Sequence, residues 1–212
     1  MASSFLSQIE TITNVVAKLN PHRVLDIGKG FGKYGWLLHE YCGIPTDVRA
    51  DPSKTLAQQS RLIIDAVESN PDYLWPHIPH LYTQVFVGRI ENLYRDLKGY
   101  DTVMLLDVIE HLEAQPAREI VRHFIADGAT VVISTPAEYF QQELYGSEDE
   151  HHVSYWGPAE MAALAPFMEY QRVEPGRIFV LSANPINIIG FGKSPLKSLK
   201  RIARKVLDEL RS

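Results

Sequence analysis

The 212-residue chain predicts an α/β fold: a doubly wound, mostly parallel seven-stranded sheet with one antiparallel strand and helices on both faces, a three-layer sandwich. Three observations carry this. Short apolar runs alternate with helical patterns from Arg23 to Ser134, as parallel strands joined by crossover helices must. A hairpin pattern follows that series and supplies the antiparallel strand. A glycine-rich stretch comes directly off the first apolar run, where open sheets of this kind build their ligand clefts. With 45% hydrophobic and 22% charged residues, the chain can bury one substantial core, and wholesale disorder is excluded.

Phe5, Leu6, Ile9, Ile12, Val15, Val16 and Leu19 recur at three-to-four spacing and predict an amphipathic helix that Asn20-Pro21 ends. Arg23–Ile27 is a buried strand, and after the glycines a helix runs from Lys33 to about Tyr41. Gly43 to Ser60 is a polar insertion with a short helix over 53–60. Leu62–Glu68 is the second strand, 70–82 a helix plus loop, Gln84–Val87 the third strand. Tyr100 to Asp107 is nearly all apolar and hence central. A helix over 116–127 turns Ile120, Val121, Phe124 and Ile125 inward, and strand 129–134 follows. A helix over 158–165 precedes strands 168–174 and 177–182, joined at Pro175-Gly176. Residues 1–189 form one domain; 190–212 form a separate basic amphipathic helix after the hinge Gly190-Phe191-Gly192.

The net charge of −5 hides an asymmetry. Lys193 to Ser212 holds seven basic residues against two acids, and the rest holds 14 against 24. A body this acidic argues against nucleic acid as a partner. The C-terminal helix has two readings, packing on the domain or a second subunit, and resting on an anionic membrane; packing is preferred. The chain is expected as a monomer or homodimer. A single cysteine, Cys42, fits a reducing cytoplasm, and no long apolar run predicts a membrane span.

Asp26 to Gly35 reads D-I-G-K-G-F-G-K-Y-G. Glycines let the backbone approach a ligand closely, and the following helix offers unpaired N–H groups to it. A P-loop fails on spacing, because Ile27 stands where its first glycine belongs. Gly30 to Gly35 does match the dinucleotide pattern G-x-G-x-x-G. Asp26 tips the balance. An acid closing the strand suits a ligand that carries an ammonium group, and a dinucleotide site has no need of it there.

Val24 to Gly32 resembles the first motif of the class I, Rossmann-like S-adenosylmethionine-dependent methyltransferases. Three later segments fall in the order of that family. The resemblance implies S-adenosylmethionine as cofactor, held by Asp26, Ile27, Gly28, Lys29, Gly30 and Gly32 of the loop. Glu68 closes the second strand and would accept the ribose hydroxyls; Asp65 competes but lies deeper in the strand. In Gly88-Arg89-Ile90-Glu91 an arginine replaces the family's acid, so adenine contact rests on Ile90, with Arg89 either stacking on the ring or facing solvent. Asp107 and Val108, in a segment like the fourth motif, would face the methionine part and the methyl group.

Methyl transfer needs alignment, exclusion of water and, for an oxygen acceptor, loss of a proton. His152 and then His111 are the preferred proton acceptors. No metal is expected, although Asp107, Glu110 and His111 could together hold Mg²⁺ or Mn²⁺. Lys29 and Lys33 oppose the helix dipole, which points to an anion such as the cofactor carboxylate or an acidic acceptor; pointing to water is the alternative. The expected activity is O-methylation of a small-molecule or saccharide-type acceptor. The rivals are a nicotinamide-dependent oxidoreductase and a non-catalytic nucleotide-binding module of the same fold.

Overall fold

The computed structural model describes residues 5–44, 51–138, 151–188 and 190–191. Its centre is a seven-stranded sheet in the order β3-β2-β1-β4-β5-β7-β6. The strands are β1 Arg23–Ile27, β2 Ile63–Glu68, β3 Gln84–Val87, β4 Thr102–Leu106, β5 Thr130–Pro136, β6 Phe167–Val173 and β7 Gly176–Ser182. β1 to β5 are mutually parallel, and β7 runs antiparallel to both β5 and β6. The expected sheet is therefore the observed one.

Two apolar layers flank it. On one face α1 (Ile9–Leu19), α2 (Lys33–Leu38) and α4 (Ile78–Leu81) bury Ile12, Val16, Leu38 and Ile78 against Val24, Ile64, Met104 and Val132. On the other, α5 (Ile90–Leu93), α6 (Ala114–Ala126) and α7 (Pro158–Ala162) cover Leu25, Val103, Ile133 and Phe179. The central strand β4 is buried at every position, as its continuous apolar run requires. α6 buries Ala117, Ile120, Val121, Phe124 and Ile125, one stripe at helical period.

The differences from expectation are local. α1 is preceded by a single 3₁₀ turn, Leu6–Gln8, and ends at Asn20, which takes the left-handed cap position at φ 49°. α2 is shorter than expected and passes into a π turn, His39–Gly43. α6 starts before Pro116, which the first turn tolerates because its N–H would have no helical partner. In the insertion the short helix α3, Leu56–Gln59, is set by a capping box between Thr55 and Gln58. The amphipathic helix expected after Gly190 lies outside the described residues, save that Phe191 is buried beside Ile188. No helix among the described residues is long and apolar enough to cross a membrane.

Chain order reverses between β1 and β4, so the crevice at their carboxyl ends is the topological switch point of the sheet. The glycine loop, Glu68 and Asp107 converge there.

Candidate active site

A cleft of about 420 Å³ opens at that switch point. Asp26 to Gly30, Glu68, Arg89, Ile90, Asp107, Val108 and His111 all line it. The loop after β1 reaches it because Gly28, Gly30 and Gly32 take φ of 72°, 50° and 84°, a region that costs other residues about 1–2 kcal/mol each. At Gly28 a Cβ would also lie 2.4 Å from Val108 Cγ2, so loop and β4 turn touch where only hydrogen fits. Gly32 caps α2 beneath Leu81 and Ile78.

Asp26 is wholly buried at the floor of the cleft and accepts a 2.7 Å hydrogen bond from the Tyr82 hydroxyl. Burial raises its pKa to about 6, and the Tyr82 bond and the nearby Lys29 charge hold it from going higher. Gly35 explains how Tyr82 gets there: a Cβ at that position would lie 2.7 Å from the tyrosine ring. The third glycine of the dinucleotide-like pattern is thus a packing glycine.

Glu68 is held from three sides. Its Oε2 accepts from Gly30 N–H at 3.0 Å, its Oε1 accepts from Asn70 N–H at 3.0 Å, and the Lys29 ammonium stands 4.0 Å away. Asp65, the rival, lies elsewhere, paired with Arg23 at 2.9 Å and with the Tyr100 hydroxyl at 3.0 Å. Lys29 answers one question the sequence left open. Its side chain is fully buried and donates to the carbonyls of Tyr73 at 2.8 Å and Gly30 at 3.2 Å. The anion it faces is Glu68, with Asp26 further off, and burial still lowers its pKa. It stitches the glycine loop to the turn after β2. Lys33 is half-buried, with Asp107 as the nearby acid, and lies 5.6 Å from the Tyr34 ring centre. Arg89 turns outward and pairs with Glu91 at 3.3 Å, while Ile90 is buried at the head of α5.

The turn after β4 forms the second half of the site. Asp107 takes φ 55° and accepts from the Ser134 hydroxyl at 3.0 Å. Glu110 and His111 follow on a 3₁₀ turn, Ile109–His111. The segment carrying His152 is clamped onto this turn. Val153 and Ser154 N–H donate to Glu110 O at 2.8 and 3.1 Å, and the Trp156 indole donates to Ile109 O at 3.2 Å. The Ser154 hydroxyl lies 2.8 Å from Leu112 O. As a result the His111 and His152 rings meet edge to face, 5.0 Å between centres.

Glu110, His111 and His152 each offer a ligand atom, and these atoms lie within 4.8 Å of one another. Glu110 is 2% exposed, and neither of its carboxylate oxygens has a hydrogen-bond partner of good geometry among the described residues. Burial and then the Asp107 charge push its pKa well above the usual range; the Thr135 hydroxyl offsets this only in part. One carboxylate and two imidazoles suit a divalent transition ion, or Mg²⁺ that keeps several waters. A cation there would satisfy an orphaned buried carboxylate, so the residues fit a metal. The set differs from the one weighed in the sequence, with His152 joining where Asp107 was considered. Tyr82 and the Tyr73 carbonyl were not anticipated, and no local pattern marks either.

No family model matches the chain. A curated small RNA 2′-O-methyltransferase from Gallus gallus is 26% identical over 167 residues, covering 76% of this chain and 44% of that protein. The chain thus spans less than half the length of this relative. Among solved structures, an O-methyltransferase family protein from Burkholderia thailandensis superposes with a TM-score of 0.56 at 15% identity, over 84% of this chain and 56% of that one. The N-terminal domain of EvdMO1, solved with S-adenosylhomocysteine bound, does so with a TM-score of 0.56 at 12% identity, over 84% and 81%. The resemblance carried by the motifs is borne out: the chain has the fold of the class I S-adenosylmethionine-dependent methyltransferases.

Proposed function

We propose that the chain transfers a methyl group from S-adenosylmethionine to a hydroxyl of a saccharide-type acceptor, at a site completed by a divalent cation. The observation that carries this is the buried Glu110 carboxylate grouped with His152 and with His111, which lines the cofactor cleft.

The chain's own residues divide the work. Glu68, fixed by Gly30, Asn70 and Lys29, accepts the cofactor's ribose hydroxyls with its remaining lone pairs. Asp26 sets negative charge at the cleft floor, complementary to the cofactor's ammonium. Ile90 packs against the adenine, and Val108, pressed on Gly28, walls the methyl-bearing end. Glu110, His111 and His152 would hold the cation, and the two histidines would then take a role other than the proton acceptors expected from the sequence. A divalent ion held there would supply positive charge that favours loss of the acceptor hydroxyl's proton near neutral pH. The acceptor oxygen forms its bond to the methyl carbon as the carbon–sulfur bond breaks, the sulfur keeps that electron pair, and the proton passes to solvent.

A second reading narrows the acceptor to the ribose 2′-hydroxyl of a small RNA. The likeness to the Gallus gallus enzyme supports it, against the acidic balance of the chain. Transfer of labelled methyl to monosaccharides, ribonucleosides and short oligoribonucleotides, with titration of S-adenosylmethionine and NAD alongside, tests both. Labelled sugar with no NAD binding is the expected result. NAD binding without S-adenosylmethionine binding, or label found only on nitrogen or carbon, contradicts the reading.

A further inference from the structure

Arg177 is a buried cation that the proposed reaction does not yet use. It is the second residue of β7, in register with Thr135 of β5 on one side and Arg172 of β6 on the other. Because β7 runs against β5, its first residues lie at the end of the sheet that carries Asp107 and Glu110. Strand alternation puts Arg177 on the face of Phe179 and Leu181, the face that Trp156 covers. Thr135, whose hydroxyl faces Glu110, shares that face. Arg177 therefore stands one strand position from the residue that touches the cation cluster.

Its surroundings are unusual for an arginine that is 7% exposed. One guanidinium nitrogen donates to the Tyr155 hydroxyl at 2.7 Å, and the group lies 5.6 Å from that ring's centre. Among the described residues its Nε has no hydrogen-bond partner and its guanidinium pairs with no carboxylate. Arg172, directly across the ladder, is served by both Glu174 and Glu138. Two arginines opposite one another repel, and a buried guanidinium without an anion is costly. No carboxylate among the described residues completes the arrangement.

We propose that Arg177 and Tyr155 bind a phosphate of the acceptor, beside the hydroxyl to be methylated. The inference rests on the reading of this end of the sheet as the acceptor side. A guanidinium presents paired donors that match two phosphate oxygens. The Tyr155 hydroxyl accepts from Arg177 and keeps its own proton to donate to the anion. Tyr155 is 45% exposed, which gives the phosphate its way in. The acceptor is then a phosphorylated sugar, either a free sugar phosphate or a nucleotide within a chain. One buried arginine captures one phosphate, so binding through this station depends only weakly on salt.

Inorganic phosphate and ribose 5-phosphate are the probes, titrated calorimetrically into the full chain with S-adenosylhomocysteine and Mn²⁺ present. Arg177→Gln is expected to weaken both by about tenfold or more, and Tyr155→Phe by a smaller factor, as loss of charge-assisted hydrogen bonds implies. A uridine 5′-monophosphate arm and a pentaribonucleotide arm separate the two phosphate sources: chain-bound phosphate predicts tighter binding of the oligomer, lost in the same variants. The proposal is overturned if folded Arg177→Gln binds phosphate as the parent does, or only melts earlier with phosphate affinity intact. Should Arg177→Gln fail to fold, unchanged phosphate affinity in Tyr155→Phe overturns it equally. Arginine-dependent phosphate binding without any methyl transfer supports the station and counts against the proposed reaction instead.

Discussion

The two halves of the cleft are built on opposite principles. On the β1–β2 side the buried charged groups are held by the protein: Asp26 by Tyr82, Glu68 by Gly30, Asn70 and Lys29, Lys29 by two carbonyls. On the β4–β5 side, among the described residues, the chain holds a buried carboxylate whose oxygens have no hydrogen-bond partner of good geometry, two adjoining imidazoles and a buried arginine paired with no acid. The first half is preorganised by the protein itself. The second is polarised and incomplete, and a buried polar group left so costs about 1–3 kcal/mol. The lesson is that the cofactor half should resist perturbation through packing, whereas the acceptor half should respond to what is bound.

That contrast can be broken at several points, with effects of decreasing size. Glu110→Gln preserves shape and removes the charge. We expect methyl transfer to fall by about 10²–10³, the usual cost of deleting a charge stabiliser at a reacting centre, with S-adenosylhomocysteine affinity within about twofold of the parent. Single-turnover rates and calorimetry check both. An equal loss in the two readouts would erase the distinction between the halves.

Gly28→Ala should strike the other half. The left-handed φ and the 2.4 Å approach to Val108 both oppose a methyl group. We expect cofactor affinity to drop about tenfold or more and the melting temperature to fall by several degrees, measured by calorimetry and thermal unfolding. Unaltered cofactor binding would mean the loop adjusts freely and is not preorganised.

Lys29→Met removes the stitch and keeps the bulk. The Tyr73 carbonyl then loses a donor and Glu68 a neighbouring positive charge, so the Michaelis constant for S-adenosylmethionine should rise about fivefold to tenfold while kcat stays near the parent value. A fall in kcat with no change in the Michaelis constant would instead place Lys29 at the reacting atoms.

The smallest effect concerns pH. Asp26 titrates near 6 in the folded chain against an ordinary value of 3.8, so the native state holds this proton more tightly than the unfolded one. Its contribution to stability is full below about pH 4 and declines as pH rises through about 6. Tyr82→Phe removes a bond that lowers this pKa, so the decline should extend to higher pH. Melting temperatures from pH 4.5 to 8 should diverge from the parent most at the alkaline end. Parallel curves would show that the Tyr82 hydroxyl does not act through Asp26.

The same contrast explains what the sequence disclosed. The cofactor half is written in adjacent residues: glycines need positive φ, an acid closes each of two strands, and alternation separates Glu68 from Asp65. The sheet order follows from the run of crossovers and a terminal hairpin. The acceptor half is written in distant ones. His152 meets His111 only because Ser154 and Trp156 clamp a far segment to the turn after β4, and no spacing rule spans 40 residues. Glu110 was visible as a possible ligand, but its burial was not, because it follows a strand at a position that solvent usually reaches. Arg177 looked like the ordinary start of a strand, and only the register beside Thr135 gives it meaning. The direction of Lys29, toward Glu68 and away from solvent, depends on the turn at Tyr73, which carries no motif.

Chelation tests the central claim most directly. Methyl transfer to the best acceptor would be followed after EDTA treatment and dialysis, and again after graded return of Mn²⁺. The account predicts near-complete loss of transfer, unchanged S-adenosylhomocysteine binding, and recovery in the parent but not in Glu110→Gln. Full activity in the chelated enzyme, or recovery in Glu110→Gln equal to the parent, would contradict it.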